Sequence, residues 1–356
     1  MIDIEDVYDE FNHSIIHPEA IRDFLEHAHR AGGDAPPRYV LLVGDASWDP
    51  RNSEAADENY ADWTFQTRET DSFIKNTSTS YARESRDNHR NLIPSWPHPT
   101  HQGHAATDHR FVDFGEGAPA MAIGRFPVVQ PAEVTAIVTK TLRYADRPAE
   151  GDWRNRILWI TNEQLGMQRL SDRLAGEFPG FSAEKIYPLP TEPSNADHRK
   201  TLLRAFDRGQ LLVHFIWHGG RYIWRTGPPD LEKNHDLFTL EDLEELRAHS
   251  RLPVVLSMTC YSAPFDHPNA DSIGEKLLRI GNRGAVAVVA ASWRNTPTEE
   301  TSRLLLEEFT KPGTIGEAFA RAKRRSANRE FVYQYNLLGD PATPLAVPET
   351  ARRSAL

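Results

Sequence analysis

The chain has 356 residues, of which 39% are hydrophobic, 10% aromatic and 26% charged, the composition of an ordinary globular protein. Its 41 Lys and Arg against 51 Asp and Glu give a formal net charge of −10, so no overall basic field attracts nucleic acid or anionic lipid. We therefore expect no nucleic-acid partner. Because no apolar run approaches the ~20 residues of a membrane helix, we also expect no membrane partner.

The first part of the chain is predicted to contain helices and two strands. Pro18 suits a first helical turn, which is followed at helical spacing by Ile21, Phe24, Leu25 and Ala28. The continuous apolar run YVLLVGDASWD (39–49) predicts a strand buried on both faces of a parallel sheet, and AMAIGRFPVV (120–129) predicts a second one. Pro131 begins a helix whose predicted inner face carries Val134, Ile137, Val138 and Leu142.

Strands and helices alternate in the second part of the chain. The predicted strands are 156–161, 184–189, 211–217, 252–258 and 284–292. The predicted helices are 168–177, 197–207, 241–248, 271–280, 299–310 and 314–325, the last with Thr314 and Glu317 at capping-box spacing. This alternation predicts an α/β fold with a mostly parallel sheet flanked by helices. Polar residues 147–155 divide the chain into an N-terminal α/β subdomain (1–150) and a second subdomain (151–350).

Residues 50–107 form a long polar insertion with few aliphatic residues and no clear periodicity, which is typical of a functional or disordered segment. In and just after it lie five histidines, His89, His98, His101, His104 and His109. A His-rich tract is a zinc-binding pattern, and a metal-dependent hydrolase is one alternative. No cysteine accompanies the tract, and Pro97 and Pro99 disfavour the helix that would align its histidines. We therefore expect no metal or other cofactor.

Two reactive residues directly follow predicted strands. His218 ends the strand in VHFIWHGG, and Cys260, the only cysteine, follows LPVVLSMT. Reactive groups of parallel sheets gather at the carboxyl ends of the strands, where neighbouring strands about 4.8 Å apart bring an imidazole and a thiol together. The backbone N–H groups of Gly219 and Cys260 are candidate oxyanion donors. The alternative is that Cys260 is an inert, buried core residue.

Seven segments in this order resemble the gingipain-type cysteine peptidases, peptidase family C25. They are DVYDEF…AIRDFL, PPRYVLLVGDASWD, AMAIGRFPV, VHFIWHGGRYIW, LPVVLSMTCYSAPFD, GAVAVVAAS and YNLLGDPATPL. The resemblance implies a caspase-like fold with the catalytic subdomain in 151–350. It also implies a catalytic dyad in which His218 raises the thiolate fraction of Cys260 and then protonates the leaving amine. A caspase-like module that binds without catalysis is the alternative.

The resemblance also implies roles for three further residues. Trp224 matches an aromatic six positions after the histidine and is expected to contact substrate. Glu163 matches the acid that orients the histidine, with Asn162 as a competing match and a solvated carboxylate as the alternative. Asp108 matches the acid at the base of the S1 pocket, which implies cleavage after Arg, with Lys weaker. A structural turn aspartate is the alternative for Asp108.

The segment CYSAPF departs from the family, which has Gly and Asp where this chain has Ala263 and Pro264, so one pocket wall is expected to differ. A lone cysteine, and an acidic start without the features of a signal peptide, favour the cytoplasm. The resemblance then implies a regulated intracellular effector protease. Arg83, Arg86 and Arg90 are candidate processing sites, cut by the enzyme itself or by an upstream activating protease. The alternative is a passive surface loop.

Overall fold

The computed structural model describes residues 1–48, 90–146, 148–227, 234–268 and 270–348. Its strands are β1 (Tyr39–Val43), β2 (Trp96–Thr100), β3 (Gly103–Thr107), β4 (Ala122–Phe126), β5 (Arg156–Thr161), β6 (Ser182–Ile186), β7 (Leu212–Trp217), β8 (Gly219–Gly220), β9 (Ile223–Arg225), β10 (Asp236–Thr239), β11 (Val254–Thr259), β12 (Ala287–Ala291) and β13 (Tyr335–Leu338). Its α-helices are α1 (Ile4–Asn12), α2 (Pro18–Ala31), α3 (Pro131–Asp146), α4 (Leu165–Glu177), α5 (Ala196–Arg208), α6 (Asp242–Glu245), α7 (Ile273–Arg279), α8 (Glu299–Phe309), α9 (Ile315–Arg325) and α10 (Arg329–Gln334).

Eight strands form the central sheet in the order β1-β4-β13-β12-β11-β7-β5-β6. The neighbours in this sheet are parallel except β12 and β13, which are antiparallel. The mostly parallel α/β architecture predicted from the alternation is therefore confirmed. Strands from both predicted subdomains belong to this sheet, because β13 lies between β4 and β12. The division into 1–150 and 151–350 stays a prediction.

Burial follows position in the sheet. The central strands β7 and β11 are buried almost throughout, as their continuous apolar runs predict. The prediction that β1 is buried on both faces is wrong, because β1 is an edge strand and Val43 is 45% exposed to solvent. A continuous apolar run thus does not distinguish an edge strand from a central one.

The end of the polar insertion has regular structure. Residues 96–107 form the antiparallel hairpin β2–β3, and Trp293 Nε1 donates to Gln102 O at its turn over 2.9 Å. The expectation of an irregular segment is wrong for residues 96–107. The hairpin could not be predicted from the sequence, because Pro97 and Pro99 break the usual strand pattern. Within the described ranges, no helix is both long and apolar enough to span a membrane.

Helix α3 buries only part of the predicted face, since Ile137 is buried and Val134 packs against the core. Its buried residues are Ile137, Lys140, Thr141 and Tyr144. Val138 and Leu142, predicted to face the interior, are exposed. Lys140 lies on the buried face, and its ammonium group donates to three carbonyls around the C-terminal end of α7, at 3.3 Å, 3.0 Å and 3.3 Å: Leu277, Ile280 and Arg283. A periodicity of apolar residues cannot predict a buried lysine.

This lysine leads to a prediction about stability. Burial lowers the pKa of Lys140 to about 7, whereas a lysine in the unfolded chain has a pKa of about 10.4. The unfolded chain therefore binds more protons above pH ~7, so this residue adds stability as the pH rises toward ~10. We expect the free energy of unfolding of the wild type, minus that of Lys140→Met, to increase between pH 7 and pH 9 in urea titrations. The exposed Lys200→Met should give a constant difference, and a constant difference for Lys140→Met would contradict the prediction.

Candidate active site

The two predicted reactive residues lie at the ends of neighbouring strands. In the parallel pair β7–β11, Thr259 is the register partner of Trp217. The next residues along the two strands are Cys260 and His218, which therefore leave the sheet side by side at its carboxyl edge. Three short strands intervene between β7 and β11 in the chain, but the two strands are direct neighbours in the sheet. This is the juxtaposition expected from the sequence.

The backbone beside both residues is in an unusual conformation. Trp217 has φ 120° and Tyr261 has φ 57°, both positive although neither residue is glycine. Such conformations cost about 1–3 kcal/mol each and are concentrated at functional sites. Trp217 directly precedes His218, and Tyr261 directly follows Cys260, so the unusual backbone borders both candidate residues.

Gly219 is required by the packing of the next strand. A Cβ at this position would lie 2.5 Å from Thr259 Oγ1 and 2.8 Å from Thr259 Cγ2. Arg225 N donates to His218 O over 3.0 Å, and Gly219 is paired with Trp224. The Gly219–Trp224 pair is therefore of the non-hydrogen-bonded type, which directs the N–H of Gly219 away from β9. This orientation is the one an oxyanion donor needs.

The thiol of Cys260 is hydrogen-bonded and neutral. Cys260 Sγ donates to Asn295 O over 2.9 Å, and Asn295 is held in turn by Tyr335 Oη, which donates to Asn295 Oδ1 over 2.9 Å. Burial raises the pKa of Cys260. Burial, followed by the charges of His235 and Arg225, lowers the pKa of His218. Burial thus disfavours both charged forms, and the expectation that His218 raises the thiolate fraction of Cys260 stays a prediction.

Glu163 contacts a histidine that the sequence analysis did not single out. The amide of Glu163 donates to Thr226 O over 2.9 Å, and its carboxylate lies 3.5 Å from His235 Nδ1. The competing residue Asn162 is buried, and its Oδ1 accepts from Gln164 N over 3.2 Å. His235 precedes a strand of only four residues, and nothing in its sequence context marks it as part of the site.

Trp224 is a core residue. Its side chain is fully buried, its indole stacks on Phe215 with ring centroids 4.7 Å apart, and Nε1 donates to Ser257 Oγ over 3.1 Å. The predicted contact with substrate is therefore wrong. The side chain of Trp224 points from β9 into the face of the central sheet, where its large apolar ring is removed from water.

Asp108, which directly follows β3, pairs with Arg125 of β4. Its carboxylate accepts from Arg125 Nε at 2.9 Å and Arg125 Nη2 at 2.7 Å, and both side chains are buried. Arg125 also donates to Gly44 O and Ile93 O. The prediction of Asp108 as the S1 acid is wrong, because its carboxylate neutralises a buried guanidinium. Asp108 thus forms with Arg125 the bidentate ion pair that the sequence analysis expected it to form with an arginine of the substrate.

The candidate processing sites fall into two groups. Arg83 and Arg86 lie outside the described residues. Arg90 is buried and forms ion pairs with Asp45 at 2.6 Å and Asp271 at 2.7 Å. The prediction of Arg90 as an exposed cleavage site is wrong, because a protease cannot reach this bond without breaking a buried ionic network.

A cleft of about 600 Å³ is lined by Tyr261, the residue that follows Cys260 in the chain, although neither Cys260 nor His218 lines it. Tyr261 and Trp293 line it, and Tyr261 N donates to Trp293 O over 3.1 Å. Asp266 and Arg221 also line this cleft, which we call the Tyr261 cleft. Burial raises the pKa of Asp266 to about 6, although the charge of Arg221 opposes the shift. Asp266 forms no ion pair within the part of the chain that the structure describes, so it is the candidate acid of this cleft.

Two of the five histidines, His98 and His109, pack on one aromatic ring. His98 stacks on Tyr333 with ring centroids 4.3 Å apart, and His109 meets the edge of the same ring at 5.0 Å. His89 lies outside the described residues. Across the ranges that the structure describes, no three His, Cys, Asp or Glu side chains form a group that could hold a metal ion.

Comparisons with known proteins identify the family and the fold. The sequence matches peptidase family C25 over residues 1–346. The fold is similar to that of the Arg-specific cysteine proteinase gingipain R, with a TM-score of 0.65, 18% identity and coverage of 96% of this chain and 75% of that chain. A complex of RgpB pro- and mature domains from Porphyromonas gingivalis gives a TM-score of 0.66, 15% identity and coverage of 96% and 76%. No curated protein matches the sequence. The caspase-like α/β fold is thereby confirmed.

The raised pKa of Cys260 leads to a prediction about its reactivity. Because thiolate is the reactive form, we expect iodoacetamide to alkylate the folded protein at pH 7 more slowly than the same protein in urea. The rate for the folded protein should keep rising beyond the pH of ~8.5 at which half of a free thiol is ionised. Intact-mass measurements across pH 6–10 would follow the reaction. Faster alkylation of the folded protein at pH 7 would show a thiolate in the resting state and contradict the prediction.

Proposed function

Since this chain belongs to peptidase family C25 and is therefore a cysteine peptidase, we propose that Cys260 is its nucleophile and His218 its general base. The observation that carries this proposal is the register of β7 and β11, which brings the two residues to adjacent positions at the carboxyl edge of the sheet. The positive φ angles of Trp217 and Tyr261 support it, because strain of this kind is retained where it positions reacting groups.

The mechanism starts from a neutral pair. The thiol leaves the carbonyl of Asn295 and transfers its proton to His218 as sulfur attacks the scissile carbonyl. The backbone N–H groups of Gly219 and Cys260 then stabilise the oxyanion. His218 returns the proton to the leaving amine, and the C–N bond breaks to give a thioester. A water molecule activated by His218 hydrolyses the thioester, which releases the acid product and restores the thiol.

The Tyr261 cleft supports a preference for a basic residue at P1. Its wall contains the residue that follows the nucleophile, so a substrate side chain next to the scissile bond has access to it. The carboxylate of Asp266 lies in this cleft, and burial in an environment of low polarity strengthens its attraction for a cation. Cleavage after Arg, with Lys weaker, thus stays the proposed specificity, with Asp266 in place of Asp108.

We also propose a cellular compartment for the protein and a route by which its activity is controlled. Cys260 is unpaired, which favours a reducing compartment such as the cytoplasm. An intracellular peptidase that cuts after arginine requires control, and cleavage at Arg83 or Arg86 by the enzyme itself or by an upstream protease is the proposed route. The alternative, a binding module without catalysis, would not account for the strained backbone of Trp217 and Tyr261.

The first prediction from this proposal concerns the two reacting residues. Cys260→Ala should abolish cleavage of fluorogenic peptides and change the free energy of unfolding by only about 1–2 kcal/mol. His218→Ala should lower kcat/KM by several orders of magnitude, because it removes both the base and the acid. His249→Gln is the matched control, since this half-buried histidine precedes β11 at the opposite edge of the sheet. Full activity of either Cys260→Ala or His218→Ala would refute the assignment.

The second prediction concerns P1. In a panel of peptides that vary only at P1, the wild type should prefer Arg, and the preference should grow as the pH rises through ~6, because Asp266 is ionised above its raised pKa of about 6. Asp266→Asn should remove most of the preference. Asp108→Asn is the contrasting variant. It should keep the preference but lower the free energy of unfolding by about 3 kcal/mol, because Arg125 is left as an unpaired buried charge. An unchanged preference in Asp266→Asn would place the specificity elsewhere.

A further inference from the structure

The thiol of Cys260 is held from the side of β12. Its Sγ donates to Asn295 O over 2.9 Å, and Asn295 N donates to Sγ over 3.5 Å. Asn295 lies in the loop after β12, whereas His218 follows β7, the neighbour of β11 on its other side. A thiol has one proton, so a Cys260 thiol that donates to Asn295 O cannot at the same time donate to His218.

The side chain of Asn295 fixes the position of this carbonyl. Its amide nitrogen donates to Thr259 O and to Trp293 O, each over 3.2 Å, and its Oδ1 accepts from Tyr335 Oη over 2.9 Å. The amide thus uses both of its N–H groups and its oxygen. These contacts, which we call the Asn295 clamp, join the end of β11, the loop after β12 and the start of β13.

Tyr335 is a fixed donor to the Asn295 clamp. Its side chain is buried, and its ring lies beside that of Phe331 with centroids 5.4 Å apart. Burial raises the pKa of Tyr335 well above its ordinary value, so the hydroxyl keeps its proton at neutral pH. Lys323 Nζ, from α9, donates to Tyr335 O over 2.8 Å. Both the side chain and the backbone of Tyr335 are therefore held in place.

The contacts of Cys260 with Asn295 have opposite effects on its ionisation. Burial raises the pKa of Cys260, and the hydrogen bond from Asn295 N lowers it. The bond that the thiol donates to Asn295 O stabilises the neutral form, and this oxygen would repel a thiolate 2.9 Å away. The carbonyl contact is the shorter of the two, so the Asn295 clamp favours the thiol. Two nearby charges, Arg294 in the same loop and Glu330 on α10, oppose each other in their effect on this pKa.

We propose that Asn295 is a positioning residue for the nucleophile: with Tyr335, it places a carbonyl that holds the Cys260 thiol protonated on the side away from His218. Sulfur has to leave this carbonyl before its proton passes to His218, so the Asn295 clamp sets how readily the resting thiol ionises. The side chains of Asn295 and Tyr335 act through the carbonyl and not on the substrate. The inference rests on the proposed role of Cys260 as the nucleophile.

The test compares alkylation of the resting proteins by iodoacetamide, without substrate. Tyr335→Phe removes the hydroxyl that holds Asn295 and keeps the buried ring. We expect it to be alkylated about threefold faster than the wild type at pH 7, and the ratio of the two rates to fall toward one as the pH rises to 10 and both thiols ionise. Tyr144→Phe is the matched control and should react like the wild type. Tyr144 is also buried and hydrogen-bonded through Oη, but it lies beside Trp153, before the start of β5.

The pH dependence separates ionisation of the thiol from access to it. If Tyr335→Phe only opened a path to sulfur, the ratio of the rates would be the same at every pH, and this result would overturn the proposal. Slower alkylation would also overturn it, because the Asn295 clamp would then favour the thiolate through Asn295 N. A rate equal to that of the wild type throughout would show that the clamp has no effect on the thiol.

A second variant shows whether Tyr335 acts through Asn295. Asn295→Ala removes the whole Asn295 clamp and should be alkylated at pH 7 at least as fast as Tyr335→Phe. Adding Tyr335→Phe to Asn295→Ala should then change the rate little, because the hydroxyl has no amide left to hold. If the effects of the two substitutions multiply, Tyr335 acts independently of Asn295 and the proposal fails. Should Tyr335→Phe not fold, the ratio for Asn295→Ala across the same pH range decides.

Peptide cleavage distinguishes this inference from the proposed function. If the wild type cleaves no peptide while the alkylation ratios behave as expected, the proposed function fails and the inference about the resting thiol stands. If cleavage depends on Cys260 while the ratios stay at one, the proposed function stands and the inference fails.

Discussion

The parallel register of β7 and β11 is the constraint on which the candidate site depends. It sets Thr259 opposite Trp217, and so brings the next two residues, Cys260 and His218, to one edge of the sheet. The same register presses Thr259 against the backbone of Gly219, where only glycine fits. A shift by one residue would move every side chain of one strand to the opposite face. Because almost every position of the two strands is buried, such a shift would require repacking of the core on both faces of the sheet.

The site is assembled with both reacting groups uncharged. The thiol donates to the carbonyl of Asn295, and burial moves the pKa of Cys260 up and that of His218 down. Desolvation opposes each charge separately, and an ion pair would have to overcome both effects. In the proposed mechanism the oxyanion forms only when sulfur attacks the substrate carbonyl, so the backbone donors would stabilise charge during the reaction and not in the resting thiol.

Buried charges near the site are used mainly for architecture. Arg125 and Asp108 neutralise each other, and Arg90 lies in a network with Asp45 and Asp271 that fixes the segment after β1 against the start of α7. A charge removed from water is retained only with a partner, so each of these acids has a structural assignment. Asp266 differs, since it lines the Tyr261 cleft without an ion pair in the described part of the chain. This difference in pairing is the reason for proposing Asp266, and not Asp108, as the acid that binds a basic P1 side chain.

The sequence by itself determined the order and type of the main elements. Apolar runs and helical spacing predicted β5, β7, β11 and β12 and the helices between them, because such patterns follow local geometry. They also predicted that Cys260 and His218 end neighbouring strands. Only the tertiary structure decided which acid meets which base. Asp108 pairs with Arg125, Glu163 contacts His235, and Trp224 packs on Phe215. Each of these contacts joins residues whose relative positions depend on how strands and loops distant in the chain come together. A sequence records which groups must be neutralised or buried, but the partner of each is fixed by three-dimensional packing.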